Sequence, residues 1–495
     1  MSIFKLRQIA SVKTSDDPRV TVDIPDSSGG INTRFHETEI QDNQMTVAYN
    51  LDLSTPGKKK KRLGNLAVLD DLGATPILGL IYQKAPSVDA RMAFVFGKRM
   101  YKSTDPLNTS GSWVDIDSTD HFTNNLTTTV SILAGDLLFF TNGTDNVFSY
   151  NGTSITDEGA TTTDPPKAKC LAYFKNRLWA ANTTTNPDYV WYSDTLATQT
   201  FNQSTSVFKV STGDSTGVTN MIPYQDSSLI IFKERSIHEL LVSGDTAAYW
   251  NLRPVDLRYG CVTPDCAKYH NGKIYFLSHD GIRVLPLQPN AVSYPIKTEI
   301  DNIYWTYIDR AKMVIFDDKL FLAVPTGTTA YPNQVYVLDL NTNGWVVYTG
   351  WNVGCWGIYI SGNEEVLMYG DSNDGVVYKC YTSTQFNDGS TKINYQEETK
   401  AYDFGQPFIY KVGGEIEVEI SSSTGNTVTV YAAIDGGSYG TALGTCTATD
   451  KFSLDSLGHF KNIKFKFQND ATSTEQLIFN GFRVVTFPEE YQSEV

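Results

Sequence analysis

The chain has 495 residues, of which 41% are hydrophobic and 12% aromatic, so it can bury the core of more than one structural unit. Its many Tyr and Phe residues favour pleated sheets over long helices, and an all-β fold is the first expectation. The 40 basic and 55 acidic residues leave a net charge of −15, which argues against functions that gather nucleic acid on a basic surface.

The N-terminal region is polar and rich in turn residues. The opening segment MSIFKLRQIASVKTSDD contains no apolar run of the length that a signal peptide needs. Nowhere do about 20 apolar residues follow one another, as a membrane span requires. We therefore expect a protein made in the cytoplasm and without a membrane span. Residues 1–65 show little sustained periodicity, and we predict an extended N-terminal arm with one or two strands.

Residues 66–395 contain a recurring unit of two runs of β-forming residues joined by turns of Asp, Asn, Gly or Lys. Seven copies follow one another at spacings of about 40–50 residues. They begin with RMAFVFGKRM (91–100), SILAGDLLFF (131–140), CLAYFKNRLW (170–179), MIPYQDSSLIIF (221–232), CAKYHNGKIYF (266–276), KMVIFDDKLFL (312–322) and CWGIYISGNEEVL (355–367). The spacing leaves room for four strands a unit, as in the blade of a β-propeller, and predicts six to eight blades.

Closure around an axis gives such units a physical reason to stack. A single four-stranded sheet cannot bury both of its faces, whereas neighbouring blades cover one another. Aromatic residues within the units, such as Trp179, Tyr269 and Trp345, are expected to fill the space between blades. The six cysteines are scattered without the spacing of a zinc site, so we expect reduced, buried thiols and predict no metal or cofactor.

The pattern changes near residue 396. Four segments alternate polar and apolar residues with period two, and turn-rich stretches separate them. These segments are EIEVEI (415–420), TVTVYAAID (427–435), FKNIKFKF (460–467) and LIFNGFRVVTF (477–487). Short antiparallel strands of this kind predict a C-terminal β-sandwich over residues 396–495.

The run Lys58, Lys59, Lys60, Lys61 and Arg62 is the one concentrated basic segment of an acidic chain. A solvated loop is the common fate of such a run, and contact with a partner protein or with passing DNA is the functional alternative. We predict an interaction role for these five residues and place a partner protein ahead of DNA.

Other candidate sites are weaker. The Asp-rich turns DDLG (70–73), TNGTDN (141–146) and GDSNDG (370–375) offer oxygen ligands for Ca²⁺, but none has the EF-hand spacing, and tight turns need the same residues. The histidines at 238, 270 and 279 lie beside predicted strands without a Ser or Cys nucleophile in a recognisable motif. We therefore predict that the protein is not an enzyme.

Five segments form an ordered series of motifs. They are NLDLSTPGKKKKRLGN (50–65), FKNRLWAANTTTNPDYVWYSD (174–194), LIIFKERSIHELLV (229–242), RYGCVTPDCAKYHNGKIYFLSHDGIRVL (258–285) and KAYDFGQPFIYKVGGEIEVEI (400–420). This series resembles phage tail proteins of the propeller type, a family that includes the nozzle protein of short-tailed phages, tail tubular protein B, and the related packaged-DNA stabilisation proteins. In the first segment Leu63 follows Arg62, where the family often has Pro.

The resemblance implies a virion structural protein, a tail nozzle or hub that assembles in the host bacterial cytoplasm. Its copies would form a homo-oligomeric ring, commonly a hexamer, that contacts other tail or portal-adaptor proteins. The ring would extend and seal the conduit for DNA ejection, and DNA would pass without sequence-specific binding.

Two other functions compete with this expectation. A tail-tip receptor-binding or glycan-processing propeller would need paired carboxylates about 5–10 Å apart in a groove with exposed aromatic residues. A generic interaction propeller of a bacterial cell would be monomeric in solution. Electron microscopy of the purified protein separates rings from monomers and from tip structures.

Overall fold

The computed structural model of the chain describes residues 19–489, apart from positions 25–27, 56, 86–87, 97, 104, 124–129, 135, 211–212, 214, 362, 422–424 and 473. Nearly all regular structure in this part is β-strand, so the predicted all-β class is confirmed. Among the described residues the one α-helix is Lys297–Asp301, and short 3₁₀ turns lie at Ala247–Tyr249, Tyr294–Ile296, Trp305–Arg310 and Asp455–Leu457. None of these described helices has the length and apolar character of a membrane span.

In the described part of the N-terminal region, five strands precede the repeating units. They are β1 (Val20–Ile24), β2 (Met45–Tyr49), β3 (Leu51–Asp52), β4 (Lys59–Lys61) and β5 (Leu66–Val68).

Antiparallel meanders follow. The first four are β6 to β9 (Ile77–Ala85, Val88–Phe96, Arg99–Ser103, Val114–Asp115), β10 to β13 (Val130–Ala134, Leu137–Thr141, Phe148–Tyr150, Ile155–Asp157), β14 to β18 (Cys170–Phe174, Arg177–Ala181, Tyr189–Asp194, Ala197–Phe201, Val207–Lys209) and β19 to β22 (Val218–Tyr224, Ser228–Lys233, Ile237–Leu241, Asn251–Asp256). The next three are β23 to β25 (Ala267–His270, Lys273–Ser278, Gly281–Leu285), β26 to β29 (Lys312–Phe316, Lys319–Val324, Gln334–Asp339, Trp345–Thr349) and β30 to β32 (Val353–Ser361, Glu364–Asp371, Val377–Lys379).

Four of these meanders are separate sheets of four or five strands, and β30 to β32 become a four-stranded sheet with β5; these five sheets form blades of a β-propeller. The sheet of β23 to β25 has three strands, and β26 to β29 continue into a larger sheet. The first strands of successive meanders contact one another in chain order, and β30 contacts β6. Each sheet therefore covers the face of the next, as the repeat pattern predicts.

The last blade takes its outer strand from the N-terminal region. Strand β5 pairs with β32 in antiparallel register, with Ala67 opposite Tyr378. Because the two strands are far apart in sequence, this pairing joins the two ends of the repeat region. It is a non-local contact that the alternation within a segment does not reveal.

Hairpin turns have the backbone that their residues predict. Both central residues have positive φ in the turns Lys175–Asn176, Asn271–Gly272 and Asp317–Asp318. A turn of this kind matches the right-handed twist of the flanking strands, and Asn, Asp and Gly tolerate it best. The turn residues used to find the repeats therefore mark real strand boundaries.

The chain ends in eight strands that belong to two sheets. They are β33 (Tyr395–Thr399), β34 (Lys411–Ser421), β35 (Val428–Ile434), β36 (Gly444–Cys446), β37 (Thr449–Ser453), β38 (His459–Phe460), β39 (Ile463–Asn469) and β40 (Ile478–Pro488). One sheet has the order β3-β4-β40-β34-β37, with β1 beside β40 and β38 beside β34; the other runs β29-β2-β33-β39-β35-β36. Rings of the two sheets meet in the core, with Phe467 and Phe479 centred 4.9 Å apart.

Residues 19–65 differ from the expected arm. Strands β1, β3 and β4 extend one C-terminal sheet, and β2 lies between β29 and β33 in the other. Met45, Ala48 and Leu51 are buried, so the segment is held by the same core. Its strands are too short and too often interrupted for a clear period, which is why the sequence indicated little structure. Residues 1–18 of the predicted arm lie outside the described residues.

Most aromatic residues of the units are buried between sheets, as expected. Trp179 and Trp345 are 0% and 1% exposed, whereas Tyr269 is 48% exposed, so the packing role predicted for Tyr269 is wrong. Tyr269 lies on the first strand of a three-stranded sheet, next to the Asn271–Gly272 turn. All six cysteines are unpaired and buried.

Candidate functional site

The structure divides the basic run that the sequence singled out. Lys58 is exposed and Lys60 is half-buried, but Lys59, Lys61 and Arg62 are 3%, 1% and 1% exposed. The expected single contact surface is therefore not formed, because three of its five side chains point into the protein. Strand β4 pairs with β40 in one C-terminal sheet and carries Lys59 and Lys61 on one face. Both side chains point toward β33 and β39 of the facing sheet.

Arg62 is the centre of this arrangement. Its guanidinium donates two bonds to the Asp388 carboxylate, at 2.8 and 2.5 Å, and a third from Nε to Asn50 Oδ1 at 2.9 Å. Another bond reaches the carbonyl of Thr349 at 2.9 Å. The planar fork of Arg suits this set of acceptors, and the ring of Trp351 lies 4.7 Å from the guanidinium carbon. Burial lowers the pKa of Arg62, but Asp388 outweighs it and the pKa lies above its ordinary value.

Lys59 forms a second buried ion pair. Its ammonium lies 2.6 Å from Glu397 Oε1, and the side chains are 3% and 0% exposed. The other carboxylate oxygen of Glu397 accepts a bond from the Tyr395 hydroxyl at 3.0 Å, and the ring of Phe479 lies 4.2 Å from the ammonium. Each charge therefore has a counter-ion and a further partner, as a buried pair requires.

Lys61 is buried and has polar partners. Its ammonium donates to Asn469 Oδ1 at 2.8 Å and to the carbonyl of Ala471 at 3.2 Å. Burial and, second to it, the nearby Arg62 charge lower the pKa of Lys61 to about 8, against smaller opposing effects of Asp470 and Asp388. Lys61 therefore titrates well below an ordinary lysine.

This pKa predicts a local increase of stability with pH. Between about pH 8 and 10.5 the unfolded chain holds a proton on Lys61 that the folded chain has lost, so the free energy of unfolding rises with pH in that window. We expect a Lys61→Met variant to lack roughly 2–4 kcal/mol of this rise. Denaturant unfolding of both proteins at pH 7.5 and pH 10 measures it, and parallel pH profiles would contradict it.

Together these three side chains form what we call the basic clasp, Lys59, Lys61 and Arg62. The clasp connects the N-terminal strands to Thr349 at the end of β29, to Asp388 after the last blade, and to strand β33. Arg62 thereby joins the N-terminal strands to the end of β29 and to Asp388. Lys59 and Lys61 join β4 to strand β33 and to Asn469 in the facing C-terminal sheet.

The other sequence candidates lie in ordinary structural settings. Asp145 accepts bonds from Asn142 and Thr123, which closes a turn, and the backbones of Gly73 and Gly375 bond across two Asp-rich loops. His270 bonds to Asp318 at 3.1 Å, while its neighbour in sequence Cys266 is buried. In the part of the chain that the structure describes, no three His, Cys, Asp or Glu side chains converge as a metal site requires.

An exposed aromatic surface that the sequence pattern does not indicate lies at one end of the C-terminal sheets. The connection before β34, residues 403–410, is here called the aromatic loop. Phe408 is 84% exposed and Tyr410 is 46% exposed, and Phe487, at the end of β40, is 36% exposed. The backbone of Glu489 donates to Tyr410, so the loop lies beside the end of β40. Exposed rings grouped in this way are typical of protein contact surfaces.

Lys411 fixes the shape of the aromatic loop. Its ammonium is buried and donates to the carbonyls of Gln406, Ile409 and Lys461 at 2.8, 2.9 and 2.9 Å. Desolvation lowers its pKa from the ordinary lysine value. The loop is thus held around an internal cation, so its rings are presented with little conformational freedom left to lose on binding.

Comparisons with known proteins assign no function to the chain and give weak structural likenesses. No protein-family model matches the chain, and no curated protein matches it. Solved structures that resemble it include the Pan2 WD40 domain of Neurospora crassa, at 9% identity and TM-score 0.39, over 66% of this chain and 97% of that one. The computationally designed Ika8 protein matches at 11% identity and TM-score 0.36, over 64% and 100% of the two chains.

A third likeness is to the extracellular domain of a hybrid two component system from B. thetaiotaomicron. It has 10% identity and a TM-score of 0.42, over 65% of this chain and 40% of that one. Likenesses this weak carry no inference about what the chain binds or does. The function must be argued from the chain's own surface.

One signal in the sequence points to the clasp, and none points to the aromatic loop. Acidic residues at 388 and 397 follow the last unit, and they are natural partners for a basic run. The loop DFGQPFIY (403–410) reads as a turn between strands, and its apolar residues would be assigned to the core.

Proposed function

We propose that the chain is a structural component of a bacteriophage tail, a nozzle or hub subunit whose copies assemble into a ring. The ring extends and seals the conduit through which DNA is ejected. The specific assignment to a tail rests on the motif series of the sequence. The structural observation that carries an assembly role is the aromatic loop, a preformed apolar surface on an otherwise acidic chain.

We propose seven blades, within the predicted range of six to eight. Five sheets have the blade pattern by themselves, and two further meanders have first strands in the same series of contacts. Strand β5 then serves as the outer strand of the seventh blade. A propeller whose last blade is completed by an N-terminal strand resists opening, because separating the two ends of the repeat region must break that strand pairing.

We also propose that the two C-terminal sheets form the predicted β-sandwich. The meeting of Phe467 with Phe479, and of Phe465 with Phe482 at 5.9 Å, supports this arrangement. Strands β1 to β4 enlarge the sandwich beyond its expected start at residue 396. In this arrangement the clasp keeps the sandwich, which carries the aromatic loop, at a fixed angle to the propeller.

The charge of the chain fits a conduit. A net charge of −15 repels the phosphate backbone, so DNA would pass the wall without adhering to it. In this proposal the protein acts by shape and by contacts with copies of itself and with other tail or portal-adaptor proteins, and it catalyses no reaction.

Electron microscopy of the purified full-length protein tests this function. We expect closed rings of identical subunits with a central opening, at protein concentrations in the micromolar range. Separate monomers at every concentration would contradict the proposal and favour a cellular interaction propeller. Binding or cleavage on a glycan array by a monomeric protein would contradict it in favour of a tail-tip receptor-binding or glycan-processing role.

A further inference from the structure

The chain contains five Asn–Gly pairs, and at such pairs an asparagine can lose its side-chain amide spontaneously. The backbone nitrogen of the glycine attacks the asparagine Cγ, and glycine lacks the Cβ that shields this nitrogen in other residues. The pairs begin at Asn142, Asn151, Asn271, Asn343 and Asn480. The fold decides which pair reacts, because attack requires a side-chain amide that can turn and a glycine N–H that is free.

Two of the pairs are held by the asparagine side chain in a turn. Asn142 Oδ1 accepts the backbone N–H groups of Thr144 and Asp145 at 3.0 and 2.9 Å. Its Nδ2 donates to Asp145 Oδ2 at 2.8 Å. Asn151 Oδ1 accepts two backbone N–H groups in the same way, at 2.8 and 2.9 Å. Either amide must break these hydrogen bonds before its Cγ can turn toward the next nitrogen.

Two further pairs are held by other bonds. The Gly344 nitrogen donates to Thr342 Oγ1 at 3.2 Å, so the nucleophile that Asn343 needs is already engaged. Asn480 lies within β40, and its Nδ2 donates to two side chains of β34 at 3.0 and 2.9 Å. Reaction at any of these four, here called the held pairs, requires local opening of the fold, which slows it.

The pair Asn271–Gly272 differs from the held pairs. It forms the exposed two-residue turn between β23 and β24, where a Cβ added to Gly272 would meet no atom within 4 Å. Within the part of the chain that the structure describes, the Gly272 N–H donates no hydrogen bond. The nitrogen that must attack is therefore free in the folded protein.

His270 lies beside the group that leaves in this reaction. Its Nε2 is 3.0 Å from Asn271 Nδ2, and the ring is partly exposed. The same ring nitrogen lies 3.1 Å from Asp318 Oδ1, which belongs to a neighbouring hairpin turn. An imidazole exchanges protons near neutral pH, and at this distance it can deliver a proton to the departing amide nitrogen.

We propose that Asn271 is a site of spontaneous deamidation in which His270 protonates the leaving group. The Gly272 nitrogen forms a bond to Cγ of Asn271, the Cγ–Nδ2 bond breaks, and ammonia leaves. The proton that the Gly272 nitrogen gives up balances the one that His270 delivers. One water then opens either carbonyl of the resulting succinimide, so residue 271 becomes aspartate or isoaspartate. The inference does not depend on the proposed function.

The product changes the turn. A carboxylate replaces the amide beside His270 and competes with Asp318 for the same ring nitrogen. Isoaspartate also adds a backbone atom to a turn whose register pairs His270 with Lys273. A two-residue turn fixes the register of its hairpin, so the modification weakens the pairing of β23 with β24.

Peptide analysis of the folded, full-length protein after incubation at pH 7.5 tests the site. Proteolysis and mass spectrometry measure aspartate and isoaspartate at all five pairs in one sample, so the held pairs are internal controls. We expect Asn271 to react at least about tenfold faster than each held pair, because those must first open locally. In the urea-unfolded chain the five rates should converge.

His270→Gln separates the chemistry of the imidazole from the geometry of the turn. Glutamine keeps a hydrogen-bonding group but exchanges no proton near neutral pH, so we expect the rate at Asn271 to fall at least about threefold. His36→Gln is the matched control, because His36 is exposed in the N-terminal region, and it should leave the rate unchanged. Unchanged rates at the held pairs show that both variants are folded.

The wild-type rates alone decide the site. An Asn271 that stays unmodified, or that reacts no faster than the held pairs, overturns the proposal. A rate at Asn271 that is the same in the wild type and in folded His270→Gln overturns the part assigned to His270.

Discussion

An Arg62→Ala variant is expected to lose about 3–5 kcal/mol of unfolding free energy. The substitution leaves Asp388, whose side chain is 12% exposed, without its bidentate counter-ion, and it removes the donor to Asn50 and Thr349. An unpaired charge in a buried site destabilises the fold by more free energy than the intact ion pair contributes to it. Denaturant-induced unfolding, followed by tryptophan fluorescence, measures the change.

Lys58→Ala is the control for Arg62→Ala. Lys58 belongs to the same basic run but is exposed, so its removal should change the free energy by no more than about 0.5 kcal/mol. Arg62→Lys should lose much of what Arg62→Ala loses, because an ammonium cannot form the fork. Equal effects of Lys58→Ala and Arg62→Ala would show that the clasp does not hold the chain together.

The second large effect is expected at Glu397. Glu397→Ala takes the counter-ion from a Lys59 ammonium that is 3% exposed, and we expect a loss of about 3–5 kcal/mol. The exposed pair of Lys451 and Glu415 is a matched comparison, since its 2.7 Å separation equals that of the buried pair within 0.1 Å. Glu415→Ala should lose less than about 1 kcal/mol, because water screens both charges.

A double variant refines the test of the buried pair. Replacing Lys59 and Glu397 together, by Met and Leu, leaves no unpaired charge and should recover most of the stability that Glu397→Ala loses. A double variant as unstable as the single one would mean that packing around Glu397, and not its charge, is responsible.

Much of the fold follows from local pattern. Turns such as Asn271–Gly272 and Asp317–Asp318 fix the hairpins, and alternating apolar residues fix which face each strand buries. These signals act within one unit, so the all-β class and the hairpins of the propeller could be predicted from the sequence.

The contacts that could not be predicted join residues far apart in the chain. Strand β5 completes a blade with β32, which lies more than 300 residues later in the chain. The sequence of Leu66–Val68 does not indicate that pairing. The burial of Lys59 and Arg62 likewise depends on their distant partners Glu397 and Asp388. A run of five basic residues by itself indicates a solvated loop.

The aromatic loop escaped prediction for a different reason. Composition rules assign Phe to the core, and the exposure of Phe408 follows from the internal bonds of Lys411. Such a surface is recognised only when burial is known residue by residue.

A cryo-electron microscopy map of the assembled full-length protein shows both the ring and the blades of each copy. We expect a closed ring of copies, each with seven blades and with β5 as the outer strand of the last blade. A map of isolated copies, or of copies with another number of blades, would contradict the proposed assembly.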